Sequence, residues 1–269
     1  MMISCRGISY SVETAGTGEP LVLLHGFTGS KETWNFLIPE LSRDYCLIMP
    51  DIIGHGETES PENPARYEMK EAANDLKCIL AELGYESAHF LGYSMGGRLA
   101  LSFSCYFPEC VRSLILESAS PGLETERERE QRIAGDAALA EKIEKNGILE
   151  FVNQWENISL FETQKRLPDE IRQAVRRERL GNHITGLSNS LRGMGTGSQP
   201  SWWKQLSELP FSVLMITGEL DLKFCKIAER MNLSLKNGRI ATINDTGHAI
   251  HVENPQKFGK IVSEFLKNH

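Results

Sequence analysis

The feature that most constrains the fold of this chain is a serine placed between two glycines, in the run Gly92-Tyr93-Ser94-Met95-Gly96. An apolar run, 88–91, precedes this pentapeptide, and a helix-like stretch, 97–106, follows it. A serine in this position suits a sharp strand-to-helix turn that strains its backbone and raises its hydroxyl above a sheet. The flanking glycines are needed because neighbouring backbone passes where a Cβ atom would lie. The pattern predicts an α/β protein with a reactive Ser94.

Short apolar runs alternate with helix-like stretches along most of the chain, which predicts a mostly parallel central sheet with helices on both faces. The predicted strands of that sheet are 21–24, 46–49, 88–91, 111–116, 211–216 and 239–243. Residues 3–13 alternate more loosely and predict an antiparallel arm at the sheet edge. The stretch 118–205 is charged, helix-prone and poor in strands. We therefore predict a core of 1–117 and 206–269, interrupted by a helical cap at 118–205.

Composition and charge limit the classes of partner. The chain is 41% hydrophobic and 24% charged with a net charge of −7, which is ordinary for a soluble globular protein and disfavours nucleic acid as a partner. No window approaches the ~18 uninterrupted apolar residues of a membrane span, and the first ten residues do not resemble a signal peptide. We therefore expect a cytoplasmic protein, as a monomer or small homo-oligomer, that does not bind membranes.

Cysteine and histidine spacing gives no indication of a disulfide or a metal site. The six cysteines include no C-x-x-C pair, and three of them fall inside apolar runs, where a reduced cysteine is a small core residue. The seven histidines lack the spacing of metal ligands. The glycine-rich stretch 191–200 is predicted to be a flexible joint.

A reactive serine needs a histidine to take its proton and an acid to hold that histidine, and in this architecture they follow in the order Ser, acid, His. Asp221 comes shortly after one predicted strand and His248 after the next, at the sheet edge where such folds place their chemistry. Glu219 competes with Asp221 for the acid role, and His251 is a nearby rival of His248. The spacing G-x-x-D favours Asp221, and the preceding glycine favours His248.

A second motif, His25-Gly26-Phe27, follows the strand at 21–24. In this geometry the backbone N–H of Phe27 points towards a developing oxyanion, and the N–H of Met95 is the second donor. The side chains of these two residues need not matter to that role. His25 and the turn 51–56 are interpreted as structural.

Jointly, five motifs along nearly the whole chain resemble the α/β-hydrolase family. These motifs are His25-Gly26-Phe27, Asp51-x-x-Gly54-His55-Gly56, Gly92-Tyr93-Ser94-Met95-Gly96-Gly97, Gly218-x-x-Asp221 and Gly247-His248. The resemblance implies the α/β-hydrolase fold. This fold hosts esterases, lipases, peptidases, C–C hydrolases, dehalogenases and lyases, so it does not by itself select a substrate.

The class of substrate is narrowed by Arg98, which lies one helical turn after the serine. A cation there would point into the pocket and bind a carboxylate. With the residues of the predicted cap, it gives a resemblance to the 2-succinyl-6-hydroxy-2,4-cyclohexadiene-1-carboxylate synthase family. That resemblance implies a substrate-binding set of Tyr93, Arg98, Arg132, Trp155 and Arg179. Arg129 is an alternative to Arg132, and Arg192 is an alternative to Arg179.

The resemblance implies a lyase of menaquinone biosynthesis. It would eliminate pyruvate from the polycarboxylate 2-succinyl-5-enolpyruvyl-6-hydroxy-3-cyclohexene-1-carboxylate, with Ser94 as the base and without metal or organic cofactor. A carboxylesterase or C–C bond hydrolase with Ser94 as nucleophile is the first alternative. A non-catalytic ligand receptor with this fold is the second. Convergence of Arg98 and the cap arginines on one cavity above Ser94 would favour the lyase.

Overall fold

The computed structural model describes residues 1–269 and contains one eight-stranded sheet. Its strands are β1 Met2–Cys5, β2 Ile8–Ala15, β3 Glu19–Leu24, β4 Tyr45–Pro50, β5 Ala88–Tyr93, β6 Val111–Glu117, β7 Ser212–Gly218 and β8 Gly238–Ile243. They lie in the order β1-β2-β4-β3-β5-β6-β7-β8. The strand β2 pairs antiparallel with both of its neighbours, β1 and β4, and β3 to β8 are parallel to one another. The predicted fold class is confirmed.

Both faces of the sheet are buried, as the apolar strand runs require. In β3, Val22 and Leu24 point into one apolar cluster, whereas Leu21 and Leu23 point into a second cluster on the opposite face. Successive side chains of a strand alternate between faces. A strand that is apolar at every position therefore fits only between two layers of helices.

Helices cover both faces and form the cap. Their bounds are α1 Ile38–Leu41, α2 Met69–Glu82, α3 Met95–Tyr106, α4 Glu126–Trp155, α5 Asp169–Leu180, α6 Ile184–Met194, α7 Leu222–Ser234, α8 Ile250–Glu253 and α9 Pro255–Leu266. Side chains of α2, α3 and α7 belong to the larger apolar cluster, and those of α1 and α9 to the smaller one. None of the helices combines the length and the apolar character that crossing a bilayer requires.

The helices between β6 and β7 build a third, small apolar cluster of their own. Its members come from α4 and α6 and are Ala140, Ile143, Phe151, Val152, Leu187 and Leu191. The helix α4 begins with a capping box, in which Thr125 and Glu128 each accept a hydrogen bond from the other's backbone N–H. We retain 118–205 as the proposed extent of the cap.

The glycine-rich stretch 191–200 is packed, and its prediction as a flexible joint was wrong. Its first residues form the last turn of α6, and Met194 is fully buried. A Cβ atom on Gly195 would lie 2.5 Å from Asp136 Oδ2, and one on Gly197 would lie 2.6 Å from the Arg129 carbonyl oxygen. These glycines allow the segment to approach α4 closely.

Candidate active site

Ser94 occupies the turn between β5 and α3 in a strained backbone conformation, with φ 49° and ψ −103°. A non-glycine residue at positive φ costs on the order of 1–3 kcal/mol and persists only where its surroundings enforce it. Here the Ser94 N–H donates to the Glu117 carbonyl oxygen of β6 at 2.8 Å. The neighbouring strand therefore holds the serine at the carboxyl end of the parallel sheet.

The two glycines of the pentapeptide let strand and helix approach closely. A Cβ on Gly92 would lie 2.4 Å from the Gly96 carbonyl oxygen, and a Cβ on Gly96 would lie 2.2 Å from the Leu24 carbonyl oxygen. Both obstacles are backbone atoms, which cannot rotate away as a side chain can. The steric reason that the sequence gives for these glycines therefore holds in the structure.

Substitution of Gly96 by alanine should strongly destabilise the fold. We expect Gly96→Ala to lower the free energy of unfolding by on the order of 3 kcal/mol, because the new Cβ forces β3 and α3 apart. Chemical denaturation measures this loss. Gly135→Ala is the matched control, since it lies exposed in α4 with nothing within 4 Å of its Cβ position. It should be neutral or stabilising by about 0.5–1 kcal/mol. Equal effects at both positions would contradict the steric account.

The structure brings the serine, histidine and aspartate predicted from the sequence into one hydrogen-bonded chain. His248 Nε2 lies 3.0 Å from Ser94 Oγ, and His248 Nδ1 lies 2.7 Å from Asp221 Oδ2. The other carboxylate oxygen of Asp221 caps α7 by accepting the N–H of Phe224 at 3.3 Å. Because the helix cap fixes the aspartate, the aspartate in turn can orient the imidazole.

Both rivals for these roles have other partners. Glu219 accepts the backbone N–H of Asp245 at 3.1 Å and helps to hold the loop that follows β8. His251 is buried, and its Nδ1 lies 2.9 Å from both carboxylate oxygens of Glu117. Neither side chain reaches Ser94 in the hydrogen-bond network. The geometry therefore selects Asp221 and His248.

Phe27 and Met95, whose backbone N–H groups are the predicted oxyanion donors, line one cavity together with Ser94. Met95 opens α3, so its N–H is one of the first-turn amides that have no acceptor within the helix. Phe27 follows a turn that His25 braces: His25 Nε2 accepts the Ile52 N–H at 3.0 Å, and its Nδ1 donates to the Gly26 carbonyl at 2.8 Å. Burial lowers the pKa of His25, which is consistent with this neutral, structural role.

A cavity of about 310 Å³ opens above Ser94, between the carboxyl end of the sheet and the cap. About half of its lining residues are hydrophobic, and it also contains six charged side chains. These are Arg98, Glu124, Glu128, Arg132, Lys223 and Arg230. Its size suits a small organic molecule. No group of three or more His, Cys, Asp or Glu side chains is arranged to hold a metal ion.

Arg98 lies in the cavity wall without a carboxylate partner. Its Nη1 donates to the Met194 carbonyl at 2.7 Å and to Gln199 Oε1 at 3.0 Å, and it takes part in no salt bridge. Burial, followed by the nearby charge of Arg132, lowers the pKa of Arg98 to about 10. It therefore remains a cation at neutral pH. A partly buried cation whose side chain hydrogen-bonds only to neutral groups is suited to bind an anionic ligand.

Three further residues of the predicted substrate-binding set line the same cavity: Tyr93, Arg132 and Trp155. Arg132 Nε donates to Asp136 Oδ1 at 2.8 Å. The indole Nε1 of Trp155 is buried and has no hydrogen-bond partner. The Tyr93 ring packs against the imidazole of His248, with ring centroids 5.5 Å apart. The predicted set thus contributes two guanidinium groups to the cavity lining, those of Arg98 and Arg132, and the unpaired indole N–H of Trp155.

Arg179 lies outside this cavity. It lines a smaller neighbouring cavity that shares Tyr93 and Phe161 with the main one. Its guanidinium stacks on the Phe161 ring at 4.7 Å, and its Nη2 donates to Gln164 Oε1 at 3.3 Å. The alternative, Arg192, pairs with Glu144 and does not line the main cavity. A substrate-binding role of Arg179 stays a prediction.

One face of α7 contributes cavity residues that the sequence analysis missed. They are Lys223, Phe224, Ile227 and Arg230. The Phe224 ring packs on His248 with centroids 4.7 Å apart, and Arg230 forms a 2.5 Å ion pair with Glu124 of the cap. The available signal was their helical spacing after Asp221, which places these residues on one side of a helix that starts at the triad.

A strained serine joined to a histidine and an aspartate, at the carboxyl end of a mostly parallel sheet, defines an α/β-hydrolase-fold protein. In agreement, the family model of the alpha/beta hydrolase fold matches residues 19–255. A thermophilic esterase from Thermogutta terrifontis superposes with a TM-score of 0.89 at 24% identity, which shows the shared fold alone.

Closer relatives identify the family. A Pectobacterium atrosepticum 2-succinyl-6-hydroxy-2,4-cyclohexadiene-1-carboxylate synthase is 30% identical over 92% of this chain and 94% of its own length. A Bacillus subtilis protein assigned provisionally to the same activity is 48% identical over 97% of this chain and 95% of its own. The structure of MenH from S. aureus has a TM-score of 0.91 at 35% identity, covering 96% of this chain and 98% of that one. The chain belongs to the 2-succinyl-6-hydroxy-2,4-cyclohexadiene-1-carboxylate synthase family.

Proposed function

We propose that this protein eliminates pyruvate from 2-succinyl-5-enolpyruvyl-6-hydroxy-3-cyclohexene-1-carboxylate, giving 2-succinyl-6-hydroxy-2,4-cyclohexadiene-1-carboxylate in menaquinone biosynthesis. The observation that carries the proposal is Arg98, a cation without a carboxylate partner, in the same cavity as an assembled Ser94–His248–Asp221 chain. The names of the relatives support the same reaction.

The chemistry of this substrate explains why a base suffices. The succinyl group attaches to ring carbon 2 through a ketone, so the hydrogen on that carbon is acidic. Its removal produces an enolate. The electrons then form the 2,3 double bond, shift the 3,4 double bond to the 4,5 position and expel the enolpyruvyl oxygen from carbon 5. One proton lost from carbon 2 and one gained by the departing enol of pyruvate balance the reaction, with no water consumed.

In this scheme Ser94 acts as the base. Its Oγ takes the proton from carbon 2 while its own proton passes to His248 Nε2, 3.0 Å away. Asp221, hydrogen-bonded to Nδ1, holds the imidazole in the tautomer that can accept this proton and stabilises the imidazolium that forms. The imidazolium then supplies the proton for the leaving pyruvate, and the triad returns to its starting state.

The developing enolate oxygen needs donors that are already in place. We assign this role to the backbone N–H groups of Phe27 and Met95, because both residues line the cavity together with Ser94. Fixed donors in a cavity with little water stabilise negative charge without reorganisation. The same pair would serve a tetrahedral intermediate in an esterase, so this feature alone does not separate the two chemistries.

Recognition of the carboxylates is assigned to the cavity cations. The substrate carries three carboxylates, and we assign two of them to Arg98 and Arg132, which line the cavity together with Tyr93 and Trp155. Arg179 lines the neighbouring cavity, and it would contribute if the side chain of Phe161, which lines both cavities, moved. Bound carboxylates fix the ring over Ser94, and this orientation contributes much of the rate enhancement.

Loss of the free cation should weaken substrate binding more than turnover. We expect Arg98→Met to raise KM for the enolpyruvyl substrate by about 10- to 100-fold, because an ionic hydrogen bond in a largely desolvated site is lost. Steady-state pyruvate release measures this change. Arg192→Met removes an equal charge from the Glu144 pair outside the cavity and is the control. An unchanged KM in Arg98→Met would favour the carboxylesterase or C–C hydrolase alternative.

The two alternatives make distinct predictions in the same assay. A carboxylesterase or C–C hydrolase would use Ser94 as a nucleophile and release no pyruvate from the enolpyruvyl substrate. A ligand receptor would bind the substrate without turnover. Release of pyruvate by the purified protein supports the lyase, and a well-folded protein that releases none contradicts it.

We further propose a cytoplasmic protein, since all six cysteines are free, as expected in a reducing compartment. Its partner is the small polycarboxylate substrate rather than nucleic acid, because its net charge of −7 would repel phosphate backbones. A monomer or small homo-oligomer suffices, since one chain supplies every residue of the proposed site. Size-exclusion chromatography with light scattering tests the last point.

A further inference from the structure

Asp136, on α4 one helical turn after Arg132, is a buried carboxylate with an unusual environment. Its side chain is 6% exposed, and Oδ1 accepts the Arg132 Nε hydrogen bond at 2.8 Å. The other oxygen, Oδ2, is buried and has no hydrogen-bond partner. A buried carboxylate oxygen without a hydrogen-bond donor destabilises a fold, so Asp136 is a candidate for a functional role.

The unpaired oxygen faces the cavity wall. It would lie 2.5 Å from a Cβ on Gly195, and Gly195 lines the cavity above Ser94. Gly195 follows Met194, whose carbonyl oxygen accepts the hydrogen bond of Arg98 at 2.7 Å. Asp136 is thus connected to Arg132 directly and to the Arg98 site through two consecutive residues of the cavity wall.

Charge explains why a carboxylate belongs there. Two guanidinium groups that share one cavity repel each other, and the charge of Arg132 lowers the pKa of Arg98 after burial has done so. The charge of Asp136 acts in the opposite direction on Arg98. When no ligand is bound, Asp136 offsets part of the charge of both cations, because it pairs with Arg132 and its charge also acts on Arg98. A polycarboxylate substrate brings its own negative charges to the same arginines.

We propose that Asp136 is a positioning residue that orients Arg132 and an internal counter-ion with which substrate carboxylates compete. This inference rests on the proposed function, since it assigns Asp136 a role in the binding of the polycarboxylate substrate. The carboxylate keeps Arg132 in place in the free enzyme, and its charge weakens the binding of anions in the cavity. Product release benefits from the same competition.

The proposal predicts opposite effects for two substitutions at one position. Asp136→Asn keeps an oxygen that can accept the Arg132 hydrogen bond but removes the charge, so carboxylates should bind about three- to tenfold more tightly. Asp136→Ala removes the oxygen as well, so Arg132 loses its anchor and carboxylates should bind more weakly. If Asp136 only supported folding, both variants would bind carboxylates more weakly.

Asp169→Asn is the matched control. It removes the same charge from the cap at an exposed position, where Asp169 pairs with Arg172 outside the cavity. Any effect of net charge on substrate encounter appears equally in Asp136→Asn and in this control. Any effect of the cavity itself appears only in Asp136→Asn.

The experiment measures KM for pyruvate release and the dissociation constant of succinate, by titration calorimetry, in the wild-type protein and the three variants. We expect both constants to fall about three- to tenfold in Asp136→Asn, to rise in Asp136→Ala and to stay unchanged in Asp169→Asn. The proposed counter-ion role of Asp136 would be overturned if both constants changed in the same direction in the two Asp136 variants. It would also be overturned if Asp136→Asn gave the same constants as the control. Absence of pyruvate release by the wild-type protein overturns the proposed function instead, and the succinate titration then decides the role of Asp136 separately. Failure of all four proteins to bind succinate overturns the inference as well.

Discussion

Ser94→Ala is expected to lower kcat for pyruvate release by on the order of 10⁴-fold or more, while the substrate still binds. The substitution removes the proposed acceptor of the proton on ring carbon 2, Ser94 Oγ, which passes its own proton to His248 Nε2 3.0 Å away. The variant keeps Arg98 and the backbone donors, so the dissociation constant of the substrate should change less than threefold. Pyruvate release and calorimetry on the same preparation measure the two quantities.

The control for this substitution is Ser104→Ala, which removes a buried hydroxyl that only bonds the Ala100 carbonyl within α3. It should retain full turnover. A Ser94→Ala protein that turns over at a tenth of the wild-type rate or faster would contradict the assignment of Ser94 as the base. Loss of binding together with turnover would mean that the substitution disturbs the cavity rather than the chemistry.

Asp221→Asn should lower kcat by about 10³–10⁴-fold with little change in KM. The aspartate accepts the Nδ1–H of His248 at 2.7 Å, which leaves Nε2 free to accept the serine proton. An amide can present its NH₂ group to Nδ1 and so favour the opposite tautomer, in which Nε2 carries a proton and cannot act as acceptor. The negative charge that stabilises the imidazolium is lost at the same time.

Glu219→Gln is the control for the acid, since Glu219 was the rival and lies two residues away. Its carboxylate accepts only the Asp245 N–H, a bond that an amide oxygen can also accept. Turnover within about twofold of wild type is expected. A larger loss in Glu219→Gln than in Asp221→Asn would reverse the assignment of the acid.

Much of the fold could be predicted because its signals are local. The strand at 88–91 and the helix-like stretch at 97–106 are mostly apolar over their own length, and the structure shows β5 at Ala88–Tyr93 and α3 at Met95–Tyr106. The strained turn at Ser94 could be predicted because its glycines mark close approaches of backbone, that of Gly92 to Gly96 within the turn and that of Gly96 to Leu24 of β3. Order along the chain then indicated the histidine and the acid.

The site residues in the predicted cap were harder to predict than the fold, because their contacts join residues that are far apart in sequence. Whether Arg179 reaches the serine depends on the position of Phe161, on which the guanidinium stacks. Nothing in the sequence around Arg98 indicates that Gln199, a hundred residues later, holds it. The glycines at 195 and 197 were predicted to be flexible for a related reason, since the sequence does not show that Gly195 approaches Asp136 and Gly197 approaches Arg129, both in α4.

The most direct test of the account is a single-turnover reaction with the enolpyruvyl substrate, in which products and the mass of the intact protein are followed together. The account predicts that pyruvate and the cyclohexadiene product appear in equal amounts and at the same rate, while the mass of the protein stays unchanged throughout. A transient mass increase on Ser94, or turnover of the substrate without pyruvate, would contradict an elimination in which the serine acts as a base.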